Sequence, residues 1–341
     1  MIRRLISVVL ALSCLGAAAL AGEAALPAGQ SALQAKIQAL GDNSWVNLGL
    51  GFSGGHEVPA VFDQENGLFF KYGGCGDHSP RINVEGSKLP DETYGNSCWA
   101  VDVKAGAWKM IRPRDMSFPT SRPGNGCSRC YAYDSKRKLV WMYGGIRNGG
   151  GGGDNYDLWT YDGAKDTFKK WDTANRPQLT GDSAPGDVFV YDSANDLLVM
   201  PWGKTTQVYD PNRNAWEDRA TPDGPPAGRH YANMAFEAVK NRVIFPTVAA
   251  SGRRAPTGQK PPESPKSLWR ETTWQEGGKE VKGQQEWVMT TWAYDAKANK
   301  WQKLDIKPED GPSARWRFGI AYDSLNKVVI LIGGSVCTWD D

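Results

Sequence analysis

Two phrases of alternating apolar and polar residues recur along the chain. In the first phrase an aspartate ends a short strand rich in aromatics, and an aromatic residue follows six positions later. The residues between them are turn formers such as Asp, Gly, Asn and Pro, so each copy predicts a β-hairpin. The four copies are Asp102/Trp108, Asp162/Phe168, Asp210/Trp216 and Asp295/Trp301.

The second phrase precedes the first and predicts another hairpin. An acidic residue is followed ten positions later by a slot that holds a Gly-Gly pair in three of the five copies. The stretch before the slot is an apolar run such as "VVILI" (328–332), which is typical of a strand buried on both faces. The five copies are Asp63/Gly73, Asp134/Gly144, Asp192/Trp202, Glu237/Thr247 and Asp323/Gly333.

Two successive hairpins form a four-stranded antiparallel unit that cannot bury its own faces. Repetition of such units predicts an all-β fold, a β-propeller in which the units are blades. The 39 glycines and 15 tryptophans agree with short strands joined by tight turns. The net charge of +2 comes from interspersed acidic and basic residues, which argues against a nucleic-acid partner.

The phrases resemble the kelch repeat, in which Gly-Gly follows an apolar strand and an aromatic-x-Tyr-Asp strand, a short turn and a Trp come next. The resemblance covers about residues 44–341 and implies a propeller of kelch-type four-stranded blades. Five repeats are visible, so the ring is either five-bladed or a truncated six- or seven-bladed ring with an incomplete last blade. The segment "NSWVNLG" (43–49) resembles the strand that closes such rings, with Trp45 in the position of Trp108 or Trp301.

The N-terminus predicts export. Arg3 and Arg4 precede an apolar run, and the small-x-small pattern at 19–21 suits a signal peptidase. We interpret residues 1–21 as a signal peptide and 22–43 as a linker, which predicts a secreted, periplasmic or cell-surface protein. A lipid anchor at Cys14 is the alternative, although the residues before it match a lipobox poorly. No other segment is expected to cross a membrane.

Three long insertions fall in the connections between the second and third strands of a blade, at 75–97, 146–156 and about 249–288. In a blade these connections share one end with the start of the first strand. We expect them to be irregular loops that carry binding, with disorder as the alternative for 249–288. Trp274 and Trp287 in that insertion would suit stacking on sugars, although tryptophans are more often core residues.

The residues nearest the propeller axis on the same end form a candidate ligand site at the pore mouth. Counting back from the acidic residues of the second phrase brings together two histidines, three arginines and a tryptophan. Hydrogen bonding between neighbouring blades is the alternative role. The candidates are His56, His230, Arg229, Arg315, Trp316 and Arg317.

The cysteines predict disulfides in an exported protein. Cys75 follows the second strand of the first blade and Cys98 opens the third, so a Cys75–Cys98 bridge is expected, and "CSRC" predicts a tight Cys127–Cys130 bridge. A metal site with His78 is the weaker alternative, since a single C-x-x-C is a poor zinc signal.

Two function classes remain open, and no cofactor or metal is predicted. The first is a module that binds or scaffolds a protein or glycan through the loop-rich face. The second is a carbohydrate-active enzyme, because the kelch resemblance extends to galactose oxidase and to a sialic-acid mutarotase. No hydrolase, zinc-protease or phosphate-loop motif occurs in the chain, and no catalytic residue is predicted.

Overall fold

A computed structural model describes 54–56, 61–63, 65–77, 95–102, 107–113, 121–124, 130–145, 157–177, 188–225, 233–261, 266–306, 310–316, 318–323 and 328–332. Strands and turns make up these residues, and no helix occurs among them. These ranges therefore contain no helix that is long and apolar enough to span a bilayer. The predicted signal peptide, the linker and the Trp45 strand lie outside the described residues.

The strands form five antiparallel sheets. The first sheet has the order β1-β3-β4-β5, with β2 also paired to β3, and the second has the order β6-β7-β8-β9. Their strands are β1 (Gly54–His56), β2 (Val61–Asp63), β3 (Leu68–Asp77), β4 (Gly95–Asp102), β5 (Ala107–Arg112), β6 (Cys130–Asp134), β7 (Leu139–Tyr143), β8 (Leu158–Asp162) and β9 (Thr167–Trp171).

The remaining sheets repeat this order. The third is β10-β11-β12-β13, the fourth is β14-β15-β17-β16 with β18 also paired to β17, and the fifth is β19-β20 in the described residues. Their strands are β10 (Val190–Asp192), β11 (Leu197–Trp202), β12 (Thr205–Asp210), β13 (Ala215–Ala220), β14 (Ala235–Glu237), β15 (Arg242–Pro256), β16 (Leu268–Glu276), β17 (Lys279–Asp295), β18 (Lys300–Lys303), β19 (Gly319–Asp323) and β20 (Val328–Ile332).

The predicted fold class is confirmed. Sequential four-stranded antiparallel sheets have the topology of propeller blades, and both hairpin phrases form the hairpins that their spacing predicts. The apolar strands β7 and β11 are buried almost throughout. In β20, residues 329–331 are half-buried, and within the described residues this strand has β19 as its one neighbour. The number of blades stays a prediction.

The chain divides into two compact units, residues 1–127 with 133–170 and residues 128–132 with 171–341. In the first unit, aromatic rings of the first and second sheets pack together: Phe70 stacks on Tyr161 at 4.7 Å between ring centroids, and Phe168 packs on both Tyr161 and Tyr72. Arg112 of β5 pairs with Asp166 at 2.9 Å.

In the second unit, the third, fourth and fifth sheets share one hydrophobic cluster. Val199 and Phe245 are fully buried in it, and Phe318 is 1% exposed beside them. Trp301 of β18 is also in this cluster, and its indole N–H donates a 2.7 Å hydrogen bond to the hydroxyl of Thr206 in β12. Neighbouring sheets are therefore joined by both apolar packing and buried hydrogen bonds.

Candidate functional site

The two ends of the sheets differ. In a meander, the first–second and third–fourth strand connections lie at one end, and the second–third connections lie at the other. At the first end every described hairpin uses the same turn. At the other end the connections range from two residues to a sheet of their own.

The repeated turn is built around its acidic residue. Asp134 is fully buried, and its carboxylate accepts hydrogen bonds of 2.9 Å from the backbone N–H groups of Lys136 and Arg137. The guanidinium of Arg137 and the indole N–H of Trp141 bind the other oxygen. With its oxygens occupied in this way, the acid holds the turn together and is not available as a ligand or base.

In each of the seven turns that the structure describes, the residue four positions after the acid adopts a left-handed conformation, as the end of this turn requires. Six of these seven positions are occupied by Asn, Asp or Lys, with Asn and Asp being the residues that tolerate this conformation best. The seven residues are Gly67, Lys138, Asp166, Asp196, Asn214, Asn241 and Asn299.

Equivalent acids have opposite pKa shifts. Burial raises the pKa of Asp192 above its ordinary value, although hydrogen bonds from Asn195 and Ala194 oppose the shift. Asp162 is more exposed, and its hydrogen bond from Lys165 at 2.7 Å lowers its pKa. The same turn thus places one carboxylate where ionisation is costly and another where it is favoured.

The second–third connection of the fourth sheet is a folded sheet. The upper parts of β15 and β17 pair as far as Pro256 and Gly283, and β16 pairs along the other side of β17 from Leu268 to Glu276. The expectation of an irregular or disordered loop over 249–288 is therefore wrong for 249–261 and 266–288. We call this three-stranded sheet, residues 251–256 with 268–287, the extension.

Two features of the sequence explain why the extension folds. Gly277 and Gly278 both have positive φ, and they form the two-residue turn between β16 and β17. Gly283 lets the Trp274 indole lie across the strand, since a Cβ there would lie 2.9 Å from that ring and 2.7 Å from the Cα of Pro256. Trp274 is 8% exposed and forms a small core for the extension.

One face of the extension has its charges paired. Glu286 is 3% exposed, accepts a 2.7 Å hydrogen bond from the hydroxyl of Ser251 and pairs with Arg253 at 3.0 Å. The same guanidinium lies 5.7 Å from the centre of the Trp269 ring. This face is internally neutralised.

The opposite face combines arginines with tryptophans. Cross-strand partners share a face, so Gln285 of β17 lies between Arg254 of β15 and Arg270 of β16. Arg254 lies 5.2 Å from the centre of the Trp274 ring, and Arg270 lies 6.0 Å from that of Trp287. We call these five residues the Arg–Trp face.

Trp316 connects this face to the predicted pore mouth. Its ring lies 4.8 Å from the Arg270 guanidinium, which thus contacts two tryptophans. At the base of the extension, Lys266 donates a 2.6 Å hydrogen bond to the carbonyl of Gly311, and the N–H of Ala314 donates to the carbonyl of Lys266. The segment before the fifth sheet therefore supports the extension.

The structure places only part of the predicted ligand site. Arg315 is half-buried and its guanidinium donates to Ser313, whereas Trp316 contacts the extension. The backbone of His56 lies opposite Cys75 in the β1–β3 ladder. The His56 side chain and all of Arg229, His230 and Arg317 lie outside the described residues, so the pocket that they were predicted to form stays a prediction.

The expected disulfides are not formed in the structure. Cys98 and Cys130 are free, buried thiols. The register explains the first case, because Cys98 lies opposite Tyr72 while Cys75 lies opposite His56. The side chain of Cys75 and all of Cys127 lie outside the described residues.

Cys98 is a poor candidate for reaction or metal binding. Burial raises the pKa of its thiol well above the usual value, although Arg112 and Arg122 oppose the shift. A thiol that stays protonated is a weak nucleophile and a weak ligand. Among the described residues, no three His, Cys, Asp or Glu side chains form a group that could hold a metal ion.

Only Trp274 and Trp287 of the Arg–Trp face were predicted from the sequence as candidates for binding. The signal for the face is "ETTWQEGGKEVKGQQEW" (271–287), where Gly-Gly separates two runs of strand-forming residues. Reading that pair as a hairpin turn would have aligned Arg270 with Gln285. The pairing with Arg254 could not be found, because the ladder between β15 and β17 shifts register between Ala250 and Arg254.

Comparisons with known proteins add little to this description. No protein-family model matches the chain, and no curated protein matches it. Solved structures that match it include the structure of YjhT, which is 12% identical, with 82% of this chain and 76% of that chain covered and a TM-score of 0.47. The fold stated above rests on the sheets themselves.

Proposed function

We propose that this protein is an exported β-propeller of the kelch type that acts as a binding or scaffolding module for a protein or glycan. Support comes from the two repeated phrases, the blade-like sheets and the signal-type N-terminus. Binding takes place at the end that carries the second–third connections. Export is tested by expressing the full chain and sequencing the N-terminus of the protein recovered outside the cytoplasm, where cleavage after Ala21 is expected.

The observation that carries the proposal is the extension itself. The third sheet makes the same connection with Gly203 and Lys204 alone, between the paired residues Trp202 and Thr205. The fourth sheet instead builds a three-stranded sheet that packs against Trp316. A folded platform with an exposed Arg254 and half-buried Arg270, Trp287 and Trp316 suits recognition, because little order has to be imposed when a ligand binds.

Replacing the extension by a short turn tests this function. Ala250 and Trp287 are cross-strand partners, so an Asn-Gly turn in place of 251–286 can close the hairpin as the third sheet does. We expect the variant to keep its far-ultraviolet circular dichroism and to lose binding on a glycan array and in cross-linking to extracytoplasmic proteins.

Two results would contradict the proposal. A folded variant that retains all partners of the wild type would show that binding does not use the extension. Bound copper together with peroxide production from a sugar would instead establish the enzymatic alternative. The Arg–Trp face does not bear on that alternative, whose candidate ligands His56 and His230 belong to the pore mouth.

A further inference from the structure

We propose that the Arg–Trp face binds an anionic polysaccharide, whose acidic groups are held by Arg254 and Arg270 and whose sugar rings rest on Trp287 and Trp316. This inference rests on the proposed binding function and names its ligand class. The juxtaposition that carries it is a row of guanidinium, amide and guanidinium across three strands, with indole rings on either side.

The first argument is charge. Arg253, on the other face, is neutralised by the buried carboxylate of Glu286 at 3.0 Å. Within the part of the chain that the structure describes, Arg254 and Arg270 contact aromatic rings and form neither an ion pair nor a hydrogen bond. Glu276 also lies on this face, and its carboxylate accepts a 3.2 Å hydrogen bond from the Trp274 indole N–H without forming an ion pair with either arginine. The two arginines therefore offer positive charges that no described ion pair balances, which favours an anionic ligand.

The second argument is the state of those guanidinium groups. An arginine held by a cation–π contact still has its N–H donors available, since no hydrogen bond in the described residues uses them. The aromatic contact also restricts the side chain, so less freedom is lost when an anion binds. Carboxylate and sulfate both accept the paired hydrogen bonds that a guanidinium edge donates.

The third argument is the length of the face. Trp274 lies opposite Val281, and the Trp287 position follows six residues later on β17. At about 3.3 Å per residue, the Trp274 and Trp287 backbone positions are roughly 20 Å apart along the strands, and both arginines lie between them, beside Gln285. A ligand that contacts both tryptophans is therefore extended, as a polymer is.

The fourth argument favours a polysaccharide over an acidic peptide. β17 is hydrogen-bonded on both sides, to β15 and to β16, so a peptide lying across the row of Arg254, Gln285 and Arg270 cannot pair with it as a strand. The free edge of the sheet in the described residues is the outer side of β16. Recognition on this face must use side chains. Indole faces, an amide and guanidinium edges match the C–H faces, hydroxyls and acidic groups of sugar rings.

The test uses isothermal titration calorimetry of the purified full chain with two pairs of polymers. Polygalacturonate is compared with its methyl ester, and dextran sulfate with dextran, so each pair differs only in the charge. The variant is R254Q with R270Q. The matched control is K282Q with K300Q, because both lysines are exposed and Lys282, opposite Thr273, lies on the other face.

We expect at least one of the two anionic polymers to bind and its neutral counterpart to bind at least about tenfold more weakly. The arginine variant should lose about tenfold or more in affinity for that polymer, since two charge-assisted contacts are removed. The lysine control, with the same change in net charge, should lose no more than about threefold. Binding of polygalacturonate identifies carboxylate as the acidic group, and binding of dextran sulfate identifies sulfate.

A second variant, R254K with R270K, keeps the charge and the fold but not the paired donors. It should also bind more weakly, and wild-type affinity in it would show that charge alone acts here. Poly-glutamate, titrated in the same way, is the acidic peptide comparison. Equal binding of charged and neutral polymers, stronger binding of poly-glutamate, or unchanged affinity in both arginine variants would overturn the inference. In those cases the proposed function still stands if removing 251–286 abolishes binding of another partner.

Discussion

The repeated turns at one end of the sheets contrast with the extension at the other end. Six of the seven described turns use one acid, two backbone N–H groups and one left-handed residue, as at Asp134, Asp192 and Asp295. The seventh keeps the left-handed residue, but its acid, Glu237, pairs with Arg242. The extension is held by contacts of its own, such as the packing of Trp274 across Gly283.

The contrast separates what stabilises the fold from what is available for recognition. In the described turns at Asp134, Asp192 and Asp295, the carboxylate of the acid is occupied by the backbone N–H groups of its own turn. On the Arg–Trp face, guanidinium groups lie on aromatic rings without a carboxylate partner in the described residues. Substitutions on the two sides should therefore have different consequences, global for the repeat core and local for the extension.

The largest effect is expected from removing a core aromatic of the repeat. Trp301 is 4% exposed, and W301A removes its packing together with its hydrogen bond to Thr206. We expect the free energy of unfolding to fall by about 3–5 kcal/mol in urea denaturation. W301F is the control and should lose about 1–2 kcal/mol, because it keeps an aromatic ring. A W301A protein as stable as wild type would show that the sheets do not share a core.

A smaller and local effect is expected in the extension. In G283V the added side chain meets the backbone of Ala255 and Pro256, and overpacking of this kind costs about 1–3 kcal/mol. Hydrogen exchange followed by mass spectrometry should show faster exchange over 268–287 and unchanged exchange in β11 and β12. G124A is the control, since a Cβ there meets nothing within 4 Å. Faster exchange throughout the chain would remove the distinction between the two regions.

The repeated hydrogen bond from tyrosine to the end of the turn should contribute about 1 kcal/mol in each copy. The hydroxyl of Tyr191 donates to Asp196 and that of Tyr209 donates to Asn214, both at 2.8 Å. Y191F should cost more than Y209F in urea denaturation, because its acceptor is a carboxylate. The reverse order would mean that packing around the rings, and not the hydrogen bond, decides the cost.

The smallest effect concerns pH and compares two copies of one turn. Because the pKa of Asp162 is lowered by Lys165, its contribution to stability is full above its ordinary pKa of 3.8 and is lost as the pH falls through its folded value. Burial raises the pKa of Asp192 in the folded state, so the folded protein binds the proton at a higher pH than the unfolded chain does. The contribution of Asp192 to stability therefore rises as the pH falls through that raised pKa.

The two pKa directions predict opposite behaviour in acid. The stability advantage of wild type over D162N should shrink with falling pH, and that over D192N should grow, as measured by urea denaturation at successive pH values. D305N is the control, as Asp305 is exposed outside any strand. Parallel curves for D162N and D192N would contradict the assignment of burial as the main cause at Asp192.

The repeat was predictable and the extension was not, for a physical reason. The distances Asp134 to Gly144 and Asp162 to Phe168 are set by a turn of fixed geometry, so spacing alone reveals the hairpins. The extension depends on the register of β15 against β17. That register shifts between Ala250 and Arg254, and no pattern in the sequence reveals the shift. Composition was also misleading, since its Pro, Lys and Glu content resembles that of a disordered segment.

The candidate site was predictable in position but not in composition. Sequence spacing placed Trp316 at the end that carries the long connections, and the structure brings it to Arg270. The partnership itself depends on β16 returning along β17, a long-range pairing that no local pattern specifies.

Hydrogen exchange of the backbone amides in residues 268–287 of the unmodified protein tests the central claim most directly. If the extension is a folded sheet continuous with the fourth sheet, these amides should exchange far more slowly than those of an unstructured peptide, with protection decreasing from Trp287 toward the Gly277-Gly278 turn. Exchange at the unstructured rate throughout this range would show that there is no platform, and the binding proposals made for it would not hold.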